Sequence, residues 1–188
     1  MSVVERPAFQ PSRLPGAGLF RAPWWEDRRG SFTKPFSPAL LAEAGLSFDV
    51  KEVYWSRSVA GTIRGLHLQL PPTAVAKIVF VVAGRVTDVV LDLRRGSPTY
   101  GEHEAFDLAP GSGAVHVPSG CAHGFEVVDG DAMMCYLQDG AFDPMTDAGV
   151  RWDSAGISWS GDEPTISDRD RQLPPLDRFD SPFTWTGR

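Results

Sequence analysis

From Val50 onward the apolar and polar positions follow the two-residue period of a strand. Val53, Trp55 and Arg57 alternate with Tyr54, Ser56 and Ser58. Ala60-Gly61 turns the chain, and residues 62–68 form the next predicted strand. Residues 77–82 are a continuous apolar run rich in β-branched side chains, which predicts a strand buried on both faces. Ala83-Gly84-Arg85 reads as a hairpin turn into residues 86–93. Asp129-Gly130-Asp131 reads as a second hairpin turn, between Val127-Val128 and residues 132–137. Residues 102–108 alternate, and Pro110-Gly111-Ser112-Gly113 separates them from a strand over 114–117. Only residues 37–44 read clearly as a helix, with Ser37 to cap it, Pro38 at its first position and Gly45 to end it.

The flanks differ. Residues 1–18 are rich in proline, glycine and polar groups and read as an N-terminal arm, with room for a short edge strand. Leu19-Phe20-Arg21-Ala22-Pro23 is extended, and residues 25–32 are a charged turn entering a strand. After Gly140 the chain is irregular to its end. Many short strands between glycine turns predict one all-β domain over 1–188, a sandwich or small barrel with few short helices, whose core spans 19–140. Such a barrel holds one small ligand.

Composition narrows the function. A chain of 188 residues suffices for one well-buried domain. Its 19 glycines and 16 prolines favour many turns, in keeping with strands. A net charge of −6 argues against nucleic acid and anionic membranes as partners, but permits an anionic small molecule where cations gather. No apolar run approaches membrane-spanning length and no leader pattern opens the chain, so a cytoplasmic protein is expected. Cys121 and Cys135 form no metal motif and read as free thiols.

Candidate chemistry concentrates in Ile63-Arg64-Gly65-Leu66-His67-Leu68-Gln69 and Lys77. An imidazole flanked by fixed cations suits removal of a proton beside a carbonyl. In a regular strand Arg64 and His67 face opposite ways, so a shared pocket requires a bend near Gly65. His123 follows a Pro-Ser-Gly turn, where strand ends open on pockets. His103 and His116 read as ordinary core or surface histidines. A metal is not expected, because Gln69 stands where a His-x-His pair would need its second histidine. Tyr136, in an apolar strand, is either a core aromatic or a proton donor. Asp168 and Asp170 are the tail carboxylates available to steady an imidazolium.

These blocks resemble the nucleotide-sugar 3,5-epimerases typified by dTDP-4-dehydrorhamnose 3,5-epimerase. The resemblance rests on Asp27-Arg28-Arg29-Gly30-Ser31-Phe32, the Arg64–His67 block, Ala76-Lys77-Ile78-Val79, residues 89–101, Val117-Pro118-Ser119-Gly120-Cys121-Ala122-His123-Gly124-Phe125 and Ile166-Ser167-Asp168-Arg169-Asp170. It implies a cupin-type jelly roll, no cofactor, and a homodimer exchanging N-terminal arms. It implies His67 as base, Asp170 as its carboxylate partner and Tyr136 as acid. Arg64, Lys77 and His123 would surround the diphosphate and the enolate, with Gln69 among the substrate contacts. Arg29 and Phe32 would touch the nucleotide, and Asp147 and Arg169 further parts of the substrate. The implied substrate is a nucleoside-diphosphate 4-keto-6-deoxy sugar, epimerised at C3, C5 or both in deoxysugar and surface-polysaccharide synthesis.

This chain departs from the family pattern around the substrate. Lys34 replaces a glutamate, Glu52-Val53-Tyr54 replaces a Gln-Asp-Asn run, and Phe142 replaces a second tyrosine. Rival readings are a nucleotide-sugar ketoisomerase, a non-catalytic sugar-nucleotide binding cupin and a metal-dependent cupin.

Overall fold

The computed structural model describes residues 8–187. β1 (Ala8–Pro11) pairs antiparallel with β2 (Gly18–Arg21), while β3 (Trp24–Asp27) and β4 (Gly30–Thr33) form a separate two-stranded hairpin. α1 (Pro38–Glu43) starts at a proline whose missing N–H has no partner in a first turn anyway, and it ends before Gly45 at φ +78°. Ser37 occupies the N-cap position, but its hydroxyl makes no capping bond. Then come β5 (Glu52–Ser58), β6 (Ile63–Gln69), β7 (Lys77–Asp92), β8 (His103–Leu108), β9 (Ala114–Val117), β10 (Cys121–Gln138) and β11 (Asp147–Gly149). A second short helix, α2 (Asp168–Arg171), was not expected, although Ser167 ahead of it is an N-cap residue and accepts the Asp170 N–H.

The two expected hairpins are instead two long strands, β7 and β10, lying antiparallel from Lys77 opposite Gln138 to Asp92 opposite Cys121. Ala83-Gly84-Arg85 and Asp129-Gly130-Asp131 bend these strands without reversing them, and the register slips between Val127 and Met134. Gly84 at φ +80° and Gly130 at φ +58° supply the left-handed backbone. A Cβ on Gly84 would stand 2.3 Å from the Asp131 carbonyl oxygen, so the two bends nest against each other.

The bend also exchanges the faces. Val79 and Val81 before it, and Val86 and Val90 after it, all enter one central core with Phe125, Met134 and Tyr136. The half of the pair that joins the start of β7 to the end of β10 binds β9 and β5, and the half that joins the end of β7 to the start of β10 binds β8 and β6, so one continuous sheet folds into two facing layers. The outer face of one layer packs Ile78, Leu137 and Phe20 under Leu41 of α1. The other packs Leu66, Leu91 and Val150 under Trp159, Phe179 and Phe183 of the tail. The all-β jelly roll with few short helices therefore stands. No helix among the described residues is long and apolar enough to cross a membrane.

Candidate active site

The site begins with a miscount between two strands. His67 lies opposite His123 and Arg64 opposite Phe125, so three steps on β6 match two on β10. The extra residue is a β-bulge. Gly65 sits there at φ +134°, and a Cβ on it would stand 2.6 Å from Gly124 Cα. The alternation that would set Arg64 and His67 on opposite faces is thereby broken. Both line one cavity of about 220 Å³, together with Lys77, His123 and Tyr136.

The tail completes the histidine. α2 carries Asp170 beneath β6, where its Oδ1 accepts the His67 Nε2–H at 2.8 Å and its Oδ2 accepts the Gly65 N–H at 3.2 Å. Burial alone would raise this carboxyl, but the bonds from His67, Gly65 and Ser167 outweigh it and hold Asp170 below the ordinary carboxylate range. Asp170 is therefore a charged acceptor at neutral pH. It fixes the His67 tautomer and leaves Nδ1 as the basic nitrogen.

Tyr136 lies on β10 with its hydroxyl 3.3 Å from Ser56 Oγ. Burial pushes its ionisation well above the ordinary tyrosine value, so it stays a protonated donor at neutral pH. Its ring stacks on Tyr54 at 4.7 Å and meets His123 edge-on at 6.0 Å. Arg64 is aimed by Ser58 Oγ, which accepts its Nε–H at 2.8 Å, and by the Arg57 carbonyl. Lys77, partly buried, is lowered to about 8, chiefly by desolvation; Asp147 opposes that shift and Arg169 adds to it.

A neighbouring lobe of about 370 Å³ shares Tyr54, His67, Lys77 and Arg169 with this cavity. Arg169 pairs with Asp147 at 2.5 Å and brings Nη1 to 3.5 Å from His67 Nε2. Glu52 Oε2 accepts from Gln138 Nε2 at 3.2 Å and from the Phe142 N–H at 3.0 Å, and Tyr54 donates to Gln138 Oε1 at 2.9 Å. Gln69, nearly fully buried, donates to the Thr73 and Ala141 carbonyls and accepts from the Asp143 N–H, so its amide secures the loop bearing Phe142.

Three expected contacts lie elsewhere. Arg29 and Phe32 line a separate recess of about 500 Å³ on the β3–β4 hairpin, where Phe32 is 60% exposed, and Lys34 follows that hairpin. Sequence reasoning missed Ser56, Ser58, Gln138 and Asp88. The first two were visible as the polar face of β5, but hydrophobic alternation would have put Val53 and Trp55 inside. They are 54% and 69% exposed, because the cavity makes the inner side of this strand polar.

Comparison with known proteins adds a second line. A family model described as dTDP-4-dehydrorhamnose 3,5-epimerase matches residues 11–178. The chain is 34% identical over 163 residues to a dTDP-4-dehydrorhamnose 3,5-epimerase of Shigella flexneri, covering 85% of this chain and 90% of that one. It is 40% identical over 149 residues to a dTDP-4-dehydrorhamnose 3-epimerase of Streptomyces niveus, covering 77% and 72%. Among solved structures it resembles a 4-keto-6-deoxy sugar epimerase from the novobiocin biosynthetic gene cluster of Streptomyces spheroides. The TM-score is 0.87 and the identity 35%, over 94% of this chain and 91% of that one. The Bacillus anthracis dTDP-4-dehydrorhamnose 3,5-epimerase, solved with TDP and PPi bound, gives a TM-score of 0.86 at 32% identity, over 90% and 99%.

Proposed function

The chain belongs to the dTDP-4-dehydrorhamnose 3,5-epimerase family, and from that premise we propose that His67, Asp170 and Tyr136 epimerise a nucleoside-diphosphate 4-keto-6-deoxy sugar. The observation that carries this reading is the single cavity on which His67, backed by Asp170, the protonated Tyr136 and the Arg64, Lys77, His123 and Arg169 side chains converge. A 4-keto group acidifies the hydrogens on its neighbouring carbons. His67 Nδ1 removes one, and the electron pair moves into the carbonyl to give an enolate oxygen. Arg64, Lys77 and His123 surround that oxygen and the diphosphate, and each donor aimed at it contributes about 3–4 kcal/mol. Tyr136 returns a proton from the other face, which inverts the carbon. Proton transfer of this kind needs no cofactor.

Glu52, Tyr54, Gln69, Phe142, Asp147 and Arg169 line the adjoining lobe and contact the rest of the substrate. The test is product analysis by NMR with dTDP-4-keto-6-deoxyglucose. Inversion beside the ketone is expected. A ketone moved to C3 would indicate a ketoisomerase, and tight binding without turnover a binding module.

Lys77 sets an alkaline limit. It is charged below pH 8 and neutral above, so kcat/KM of the free enzyme falls as pH rises through about 8. Lys77→Arg, always charged, should extend the plateau beyond pH 9. An unchanged alkaline limb in a pH–rate profile of Lys77→Arg would remove Lys77 from this role.

The protein is proposed to act as a homodimer. Trp55, Val53 and Val82 are exposed apolar side chains on the outer face of one layer, a surface that a second copy would cover. A partner supplying its β3–β4 hairpin would also bring Arg29 and Phe32 to a cleft they do not line in their own chain. Sedimentation at the 20.5 kDa of one chain would overturn the dimer.

A further inference from the structure

Three buried carboxylates sit on the long strands, and the fold treats one differently. Asp92 accepts from the Arg94 backbone and guanidinium, Ser97 and Thr99. Glu126 accepts from the Ser160 N–H and hydroxyl and from the Gly161 N–H. Asp88 on β7 is 0% exposed and has one partner, His123 Nε2, at 2.6 Å. Its Oδ1 has no partner among the described residues. A structural carboxylate is saturated, as Asp92 is; a buried oxygen left bare costs stability and calls for another reason to be kept.

That reason lies one strand away. His123 is the register partner of His67, so two imidazole–carboxylate pairs stand side by side on β10 and β6, both facing the cavity. We propose that Asp88 is a positioning residue for the epimerisation: it accepts the His123 Nε2–H and fixes the ring's plane, so that the ring, when it carries both protons, points its Nδ1–H at the reacting carbonyl beside Tyr136. This rests on the reading of the cavity as the epimerase site. In this bond Nε2 is the donor and Asp88 Oδ2 the acceptor, so Nε2 carries the proton. The 6.0 Å edge-on contact with Tyr136 closes the other side of the ring.

Asp88→Leu removes the acceptor at similar volume. It is expected to lower kcat about 10–100-fold, the range for carboxylates that orient a histidine, with KM within about twofold. Asp88→Asn, which keeps an acceptor oxygen, should recover most of that loss. Full kcat in Asp88→Leu, or a KM rising in step with the loss, would overturn the proposal. Should Asp88→Leu fail to fold, the ¹⁵N spectrum of the histidines in the wild-type protein decides. A His123 ring protonated at Nε2 supports the proposal, and a neutral Nδ1–H tautomer overturns it. Wild-type deuterium uptake from D₂O is measured alongside. Its absence would sink the epimerase reading, whereas uptake with an indifferent Asp88→Leu would sink this inference alone.

Discussion

His67→Asn is expected to cut turnover by about 10²–10⁴-fold, toward the upper end of what a positioned base contributes. The upper end applies because proton removal opens the reaction and the substitution leaves no basic nitrogen at that point. Asparagine can still donate to Asp170, so the 2.8 Å tie between β6 and the tail is replaceable and the fold should survive. Substrate affinity should change little, since the phosphates are left to Arg64, Lys77 and His123. Steady-state kinetics together with a thermal melt check this. A variant with a near-normal melt and more than a tenth of the wild-type kcat would remove His67 from the role of base.

Gly65→Ala should be the most damaging single methyl in the site. The new Cβ would meet Gly124 Cα at 2.6 Å and the His123 carbonyl oxygen at 3.1 Å, both backbone atoms that cannot swing away. At φ +134° the backbone itself is one that L side chains avoid. Overpacking and backbone strain each cost about 1–3 kcal/mol, so a loss of about 2–6 kcal/mol is expected. Relief by removing the bulge would swing Arg64 or His67 out of the cavity. Denaturant melts read the stability, and kcat of the folded fraction reads the geometry. Full stability with full activity would show that the bulge does not need glycine.

The cluster proposed to be catalytic was readable because its residues are chemically unlike their surroundings. A histidine and an arginine in a strand, and a carboxylate far down the tail, stand out as residue types. What was hidden depends on a partner strand. The bulge at Gly65 exists only as a mismatch with Phe125 and His123 on β10. A glycine at positive φ serves a bend as well as a turn, so Gly84 and Gly130 read as hairpins although they only redirect long strands. The faces of β5 were ambiguous for a related reason: hydrophobic alternation points Trp55 inward, but a polar cavity reverses the rule. Asp88 had a signal of its own, a lone acid within the apolar run Val86-Thr87-Asp88-Val89-Val90. Its meaning needed His123 beside it.

The central claim is that His67 and Tyr136 exchange protons with a carbon beside a sugar ketone. The most direct measurement is proton NMR of dTDP-4-keto-6-deoxyglucose incubated in D₂O with wild-type protein and with His67→Asn, following C3 and C5. Uptake at one or both carbons with wild type, and none above background with His67→Asn, is the expected result. No uptake with wild type on dTDP-, CDP- or GDP-linked 4-keto sugars, or undiminished uptake with His67→Asn, would contradict it.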